Sequence, residues 1–94
     1  MTGSGNVRAT AAIVNKKGLH ARASAKFVET AAKFRAEITV TKGDASVSGR
    51  SIMGLMMLAA SPGTSISVAA TGHQAADVVA ALEQLLASRF GEDE

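Results

Sequence analysis

The first candidate for chemistry is a histidine at a predicted boundary between a loop and a helix. His20 lies in the segment 18–22, Gly-Leu-His-Ala-Arg, which follows a turn signal and precedes a helix-favouring run rich in Ala, Lys, Glu and Phe. A helix N-terminus has free backbone N–H groups and a positive dipole end, which favour an anion. A histidine placed there can accept a phosphoryl group, and Arg22 can supply a permanent, forked cation to the same group.

The rest of the chain offers few other reactive groups. The second histidine, His73, has no neighbouring arginine or glycine-rich frame and is predicted to be an ordinary surface residue. Two histidines far apart and no cysteine give no basis for a metal site or a disulfide framework, and we predict no cofactor. No second acid, base or nucleophile stands where it would make His20 a hydrolase centre.

Composition limits the class of protein. The chain has 94 residues, which predicts one domain whose core is aliphatic, since there are three Phe and no Trp or Tyr. A net charge of +2 with scattered Lys and Arg does not predict nucleic-acid binding. No apolar run reaches the roughly 18 residues that span a membrane, and the start does not resemble a signal peptide, so we expect no membrane insertion and a cytoplasmic location.

Hydrophobic periodicity predicts the element order β-α-β-β-α-β-α, with one antiparallel sheet covered on one side by helices. We expect a flexible N-terminus over 1–6, a single domain over 7–90 and an acidic tail over 91–94. The predicted strands are 7–14, 37–41, 45–48 and 65–70, and the predicted helices are 21–33, 51–58 and 75–90.

The short segment 51–58 has little polar face. Ser51 is a good N-cap for a helix there, and Leu55 and Leu58 are predicted to lie in the core. Methionine is common both as core filler and at adaptable binding surfaces. For Met53 and Met56 the sequence leaves core filling and partner contact open.

Two motifs together resemble the HPr family, the small phosphocarriers of the bacterial phosphoenolpyruvate-dependent phosphotransferase system. Residues 18–22 and the following Ala25-Lys26-Phe27-Val28 resemble that family's active-site region. Residues 50–56, Arg-Ser-Ile-Met-Gly-Leu-Met, resemble its regulatory serine and short helix. Segment 38–40, Gly63-Thr64 and the closing helix also match, so the resemblance covers about 7–90.

The resemblance implies an α+β fold, an open-faced β-sandwich of four antiparallel strands with three helices on one side. It implies a carrier, not an enzyme, in which enzyme I phosphorylates His20 on Nδ1 and an enzyme IIA component receives the group. It also implies that an HPr kinase/phosphorylase can phosphorylate Ser51. We expect the partner surface to comprise Ala21, Ala25, Ile52, Met53 and Met56.

The chain departs from the usual pattern of the family at one position of this motif. The family often has proline after the arginine, whereas this chain has Ala23, which returns a backbone N–H to the first helical turn. We expect the site to survive, since alanine favours helix.

Two alternatives for the function remain open. Within the phosphocarrier interpretation, the role can be sugar uptake or nitrogen-related regulation. The competing function is a binding module that uses the methionine-rich helix and in which His20 is incidental.

Overall fold

Four antiparallel strands form one sheet, and three helices pack against it. The computed structural model describes residues 5–58 and 60–91. In chain order the elements are β1 Gly5–Ala12, α1 Ala21–Ala31, β2 Glu37–Lys42, β3 Ala45–Ser48, α2 Ile52–Met57, β4 Ser65–Gly72 and α3 Ala75–Ala87, followed by a 3-10 turn, Arg89–Gly91. This is the predicted order and the predicted fold class.

The sheet has the strand order β1-β4-β2-β3. The first strand, β1, therefore lies at an edge of the sheet and pairs with the last strand, β4, which lies inside it. Val40 lies opposite Val68, and Val7 lies opposite Ala70. In β2, Ile38 and Val40 are buried while their neighbours Glu37 and Thr39 are exposed. This alternation shows that one face of the sheet meets the core and the other faces solvent.

The helices supply the other half of the core. Phe27 of α1 and Leu55 of α2 are fully buried, and α3 contributes Val78, Val79, Leu82 and Leu86. The predicted core positions of Leu55 and Leu58 are confirmed, whereas Leu85 of α3 is only partly buried. Burying a leucine side chain contributes roughly 1.5–3 kcal/mol, so these contacts fix α1 and α2 against the sheet.

Two strand boundaries differ from the prediction. β1 spans Gly5–Ala12, so it begins and ends two residues earlier than predicted. β4 continues to Gly72, beyond its predicted end at residue 70, and there Gly72 pairs with Gly5. Residues 5 and 6 of the segment 1–6 thus belong to β1, while residues 1–4 lie outside the described part of the chain. Beyond β1, Ile13 still exchanges backbone hydrogen bonds with Gly63 and Thr64.

The third helix also ends earlier than predicted, at Ala87. Arg89 and Phe90 then adopt left-handed conformations with φ of 59° and 58°. The reversal returns the Phe90 side chain to the core, where it is fully buried, and Lys26 Nζ donates to the Phe90 carbonyl at 2.6 Å. Of the predicted tail 91–94, Gly91 belongs to this turn, and residues 92–94 lie outside the described residues.

Candidate functional site

The loop before α1 is held against Ala60, which lies between α2 and β4. Gly18 has a φ of 66°, and a Cβ at this position would collide with the Ala60 carbonyl oxygen. The same carbonyl accepts a hydrogen bond from the Leu19 N–H at 2.9 Å, and the Leu19 side chain is buried. The loop therefore needs glycine at position 18, and its path places His20 at the start of α1.

His20 is the N-cap of α1. Its backbone is extended, with φ −76° and ψ −179°, and its carbonyl accepts the first helical bond from Ser24 N at 2.8 Å. Its imidazole Nδ1 accepts from the Arg22 N–H at 3.2 Å. A neutral imidazole that accepts at Nδ1 has its proton on Nε2, so a lone pair on Nδ1 faces the positive end of the helix.

The side chains around His20 leave this end of α1 positively charged. The first turn of α1 has no acidic residue. Arg22 is exposed, and within residues 5–58 and 60–91 no hydrogen bond or ion pair engages its guanidinium. Ala21 and Ala25 are exposed beside it, whereas Ala23 is fully buried. The helix starts at its predicted position without proline, and an anion at His20 would meet backbone donors and an exposed cation.

Ser51 is the N-cap of the short helix α2. Its Oγ accepts from the Gly54 N–H at 2.9 Å, and its carbonyl accepts from Leu55 N at 3.0 Å. The residue is half-buried. The hydroxyl oxygen of Ser51 therefore has a structural role as the acceptor that caps α2.

The outer side of α2 carries four large apolar side chains, which we call the α2 surface. They are 40%, 68%, 40% and 79% exposed, in the order Ile52, Met53, Met56 and Met57. Of the two alternatives left open for Met53 and Met56, their exposure argues against core filling, since both side chains lie at the surface. Met57 was missed, although its spacing of four residues from Met53 places the two on one side of a helix.

His20 and Ser51 lie at opposite ends of the packed pair α1 and α2. Ala60, just after α2, bonds to Leu19, just before α1. At the other end, Arg50 Nη2 donates to the carbonyls of Phe34 and Ala36 at 3.2 and 2.9 Å, both just after α1. The α2 surface therefore runs between the two sites, with Met56 and Met57 toward His20.

The remaining predictions concern absences and the second histidine. His73 is exposed, as predicted, and borders a shallow depression of about 380 Å³ with Arg35 and Arg50 near the far end of β4. Across residues 5–58 and 60–91, no three His, Asp or Glu side chains are grouped to hold a metal ion. In the same part of the chain, no helix has the length and apolarity to cross a membrane.

Known proteins resemble this chain over most of its length. The family model described as the PTS HPr component phosphorylation site matches residues 7–88. A phosphocarrier protein HPr of Neisseria meningitidis is 54% identical over 82 residues, 87% of this chain and 92% of that protein. A phosphocarrier protein NPr of Shewanella violacea is 39% identical, over 85% and 88% of the two chains. The crystal structure of HPr-C-His from Thermoanaerobacter tengcongensis superposes with a TM-score of 0.89 and 42% identity, over 94% and 99%.

Proposed function

Since the chain belongs to the HPr family, the phosphocarriers of the phosphotransferase system, we propose that His20 is the residue that carries its phosphoryl group. Members of this family are carriers and not catalytic enzymes. The observation that supports His20 is the Nδ1 lone pair held at the start of α1. Histidine is suited to this task because its neutral form, the nucleophile, is populated near pH 7.

The proposed transfer uses Nδ1 as the attacking atom. Its lone pair leaves the Arg22 N–H and forms a bond to the phosphorus of a phosphorylated enzyme I. The bond from phosphorus to the donor breaks, and its electron pair stays on the donor. The Nε2 proton remains in place throughout. The new phosphoryl oxygens then accept from N–H groups of the first turn of α1, which have no helical carbonyl to bond.

Onward transfer of the phosphoryl group from His20 to an acceptor requires that the protein stabilise this group only moderately. The site offers backbone N–H donors and the exposed Arg22 side chain, and His20 is half-buried. The phosphoryl group therefore stays reachable, and an enzyme IIA component is the acceptor we propose. We place the relay in the cytoplasm, in either the sugar-uptake or the nitrogen-related system, for which the similarity to an NPr is relevant.

The Arg22 side chain is expected to assist transfer through both charge and geometry. Lysine retains the charge but loses the forked donors. Arg22→Lys should slow phosphoryl acceptance roughly threefold and Arg22→Ala roughly five- to tenfold, with unchanged melting temperatures because the side chain is exposed. Rapid-quench measurement with purified enzyme I checks this. Equal rates for the three proteins would show that Arg22 is an ordinary surface residue.

We further propose that Ser51 is a regulatory phosphorylation site, the substrate of an HPr kinase/phosphorylase, and that the α2 surface together with Ala21 and Ala25 meets enzyme I and enzyme IIA. Exposure of Met53 and Met57 supports the second proposal. Flexible, polarizable methionines suit a surface that must meet several different partners in turn.

The decisive experiment is incubation of the protein with phosphoenolpyruvate and enzyme I. We expect one phosphoryl group per chain, labile in acid and stable in base, as a phosphohistidine is. Addition of an enzyme IIA should remove the group. A chain that takes up no label with an active enzyme I would instead support a binding module that uses the α2 surface.

A further inference from the structure

Two polar side chains are completely buried beneath the loop that carries His20. In the described part of the chain, Asn15 and Ser24 are the polar residues of the core, each with no exposed area. One precedes His20 in the loop and the other follows it in α1. Burying a polar group costs about 1–3 kcal/mol unless it is hydrogen-bonded, so packing alone would favour apolar residues at both positions.

Both side chains donate to the peptide units that lead into His20. Asn15 Nδ2 donates to the Gly18 carbonyl at 2.8 Å. Ser24 Oγ donates to the next carbonyl, that of Leu19, at 3.2 Å. Neither bond belongs to a helix or strand ladder. Each instead fixes the orientation of one of the two peptide planes before the histidine.

Two backbone hydrogen bonds at His20 add to these two side-chain bonds, and we call the four bonds together the frame of His20. The Gly18 carbonyl also accepts from the His20 N–H at 2.9 Å, and the His20 carbonyl accepts from Ser24 N at 2.8 Å. Ser24 thus holds the residue before His20 through its side chain and His20 itself through its backbone. The imidazole, by contrast, is aligned by a longer bond, 3.2 Å from the Arg22 N–H to Nδ1. The length of that bond depends on how the loop places the ring relative to the first turn of α1.

We propose that Asn15 and Ser24 are positioning residues that hold His20 in its N-cap geometry, so that Nδ1 and not Nε2 is the acceptor nitrogen at the start of α1. The proposal rests on the proposed function of His20 for its effect on transfer, but the choice of nitrogen is a property of the free protein. Without the frame the ring samples other rotamers, and the proton distributes between the two nitrogens. Fewer molecules then present the nitrogen that faces the helix donors.

The test uses Ser24→Ala, since alanine favours helix and fills the site without overpacking. The matched control is Ser88→Ala, which removes another serine bond to a carbonyl, from Oγ to Leu85 O at 2.9 Å, after α3. Two quantities are measured. Nitrogen-15 chemical shifts of the unphosphorylated protein in mildly alkaline solution give the population of the Nε2–H tautomer of His20. Rapid quench gives the rate of phosphoryl acceptance from enzyme I.

We expect Ser24→Ala to lower the Nε2–H population and to slow acceptance about three- to tenfold, the range that loss of one hydrogen bond gives, while Ser88→Ala changes neither. Asn15→Ala should shift the tautomers in the same direction, measured below its melting transition. Unchanged tautomers in both Ser24→Ala and Asn15→Ala would overturn the proposal. A tautomer shift in a protein whose wild type takes no label would support the positioning role and reject only the carrier role of His20.

Discussion

Replacement of His20 with alanine is expected to reduce phosphoryl uptake from enzyme I to an undetectable level. The variant removes the nitrogen that forms the bond to phosphorus, and no neighbouring side chain of the first turn of α1 can replace it, since that turn contains Ala21, Arg22 and Ala23. The fold should persist, because His20 is half-buried and its main-chain bonds do not involve the ring. Loss of a helix N-cap is expected to cost about 0.5–2 kcal/mol of unfolding free energy.

The matched control is His73→Ala, which removes the other histidine of the chain. His73 is exposed near the end of β4, away from α1's first turn, and the variant should accept label at the wild-type rate and stoichiometry. Label counting and mass spectrometry of the intact protein give both values. Uptake that survives His20→Ala would move the carrier role to another residue and end the assignment.

The fold was largely predictable because the chain obeys two simple periods. Alternation in Ile38 and Val40 predicts the buried side of β2, and the spacing of Val78, Leu82 and Leu86 predicts the buried side of α3. The errors lie where tertiary contacts override local preference. Gly5 and Asn6 join β1 because β4 continues opposite them, and the reversal at Arg89 and Phe90 is favoured by burial of an aromatic ring. No local pattern signals either event.

The motifs of the candidate site could be predicted from the sequence, but the buried hydrogen bonds that hold the loop before His20 could not. A loop-to-helix boundary and a small polar residue indicate the N-cap positions of His20 and Ser51, and both are observed. Burial of Asn15 and Ser24 was not predicted, since both residue types usually lie at the surface and their bonds depend on how the loop packs. The exposure of Met53 likewise depends on which side of α2 faces α1.

Substitution of Ser51 with aspartate is expected to slow phosphoryl transfer to His20 roughly tenfold to a hundredfold while leaving the melting temperature nearly unchanged. Aspartate is as good an N-cap as serine, so the bond to the Gly54 N–H can be replaced, and a negative charge is favourable at a helix start. Ser51→Ala separates the two roles. It should accept phosphate normally and lose about 0.5–2 kcal/mol of stability with the cap.

The expected loss in Ser51→Asp arises from recognition and not from the transfer chemistry, because Ser51 and His20 lie at opposite ends of the packed pair α1 and α2. The new charge lies next to Ile52 and Met53, where a partner that approaches the positive end of α1 with carboxylates would meet a desolvated anion. Surface charge effects are screened by salt, so the defect should shrink as ionic strength rises and appear mainly in the second-order rate constant with enzyme I. Ser51→Asp that accepts phosphate as fast as the unmodified protein at low salt would show that Ser51 is only a helix cap.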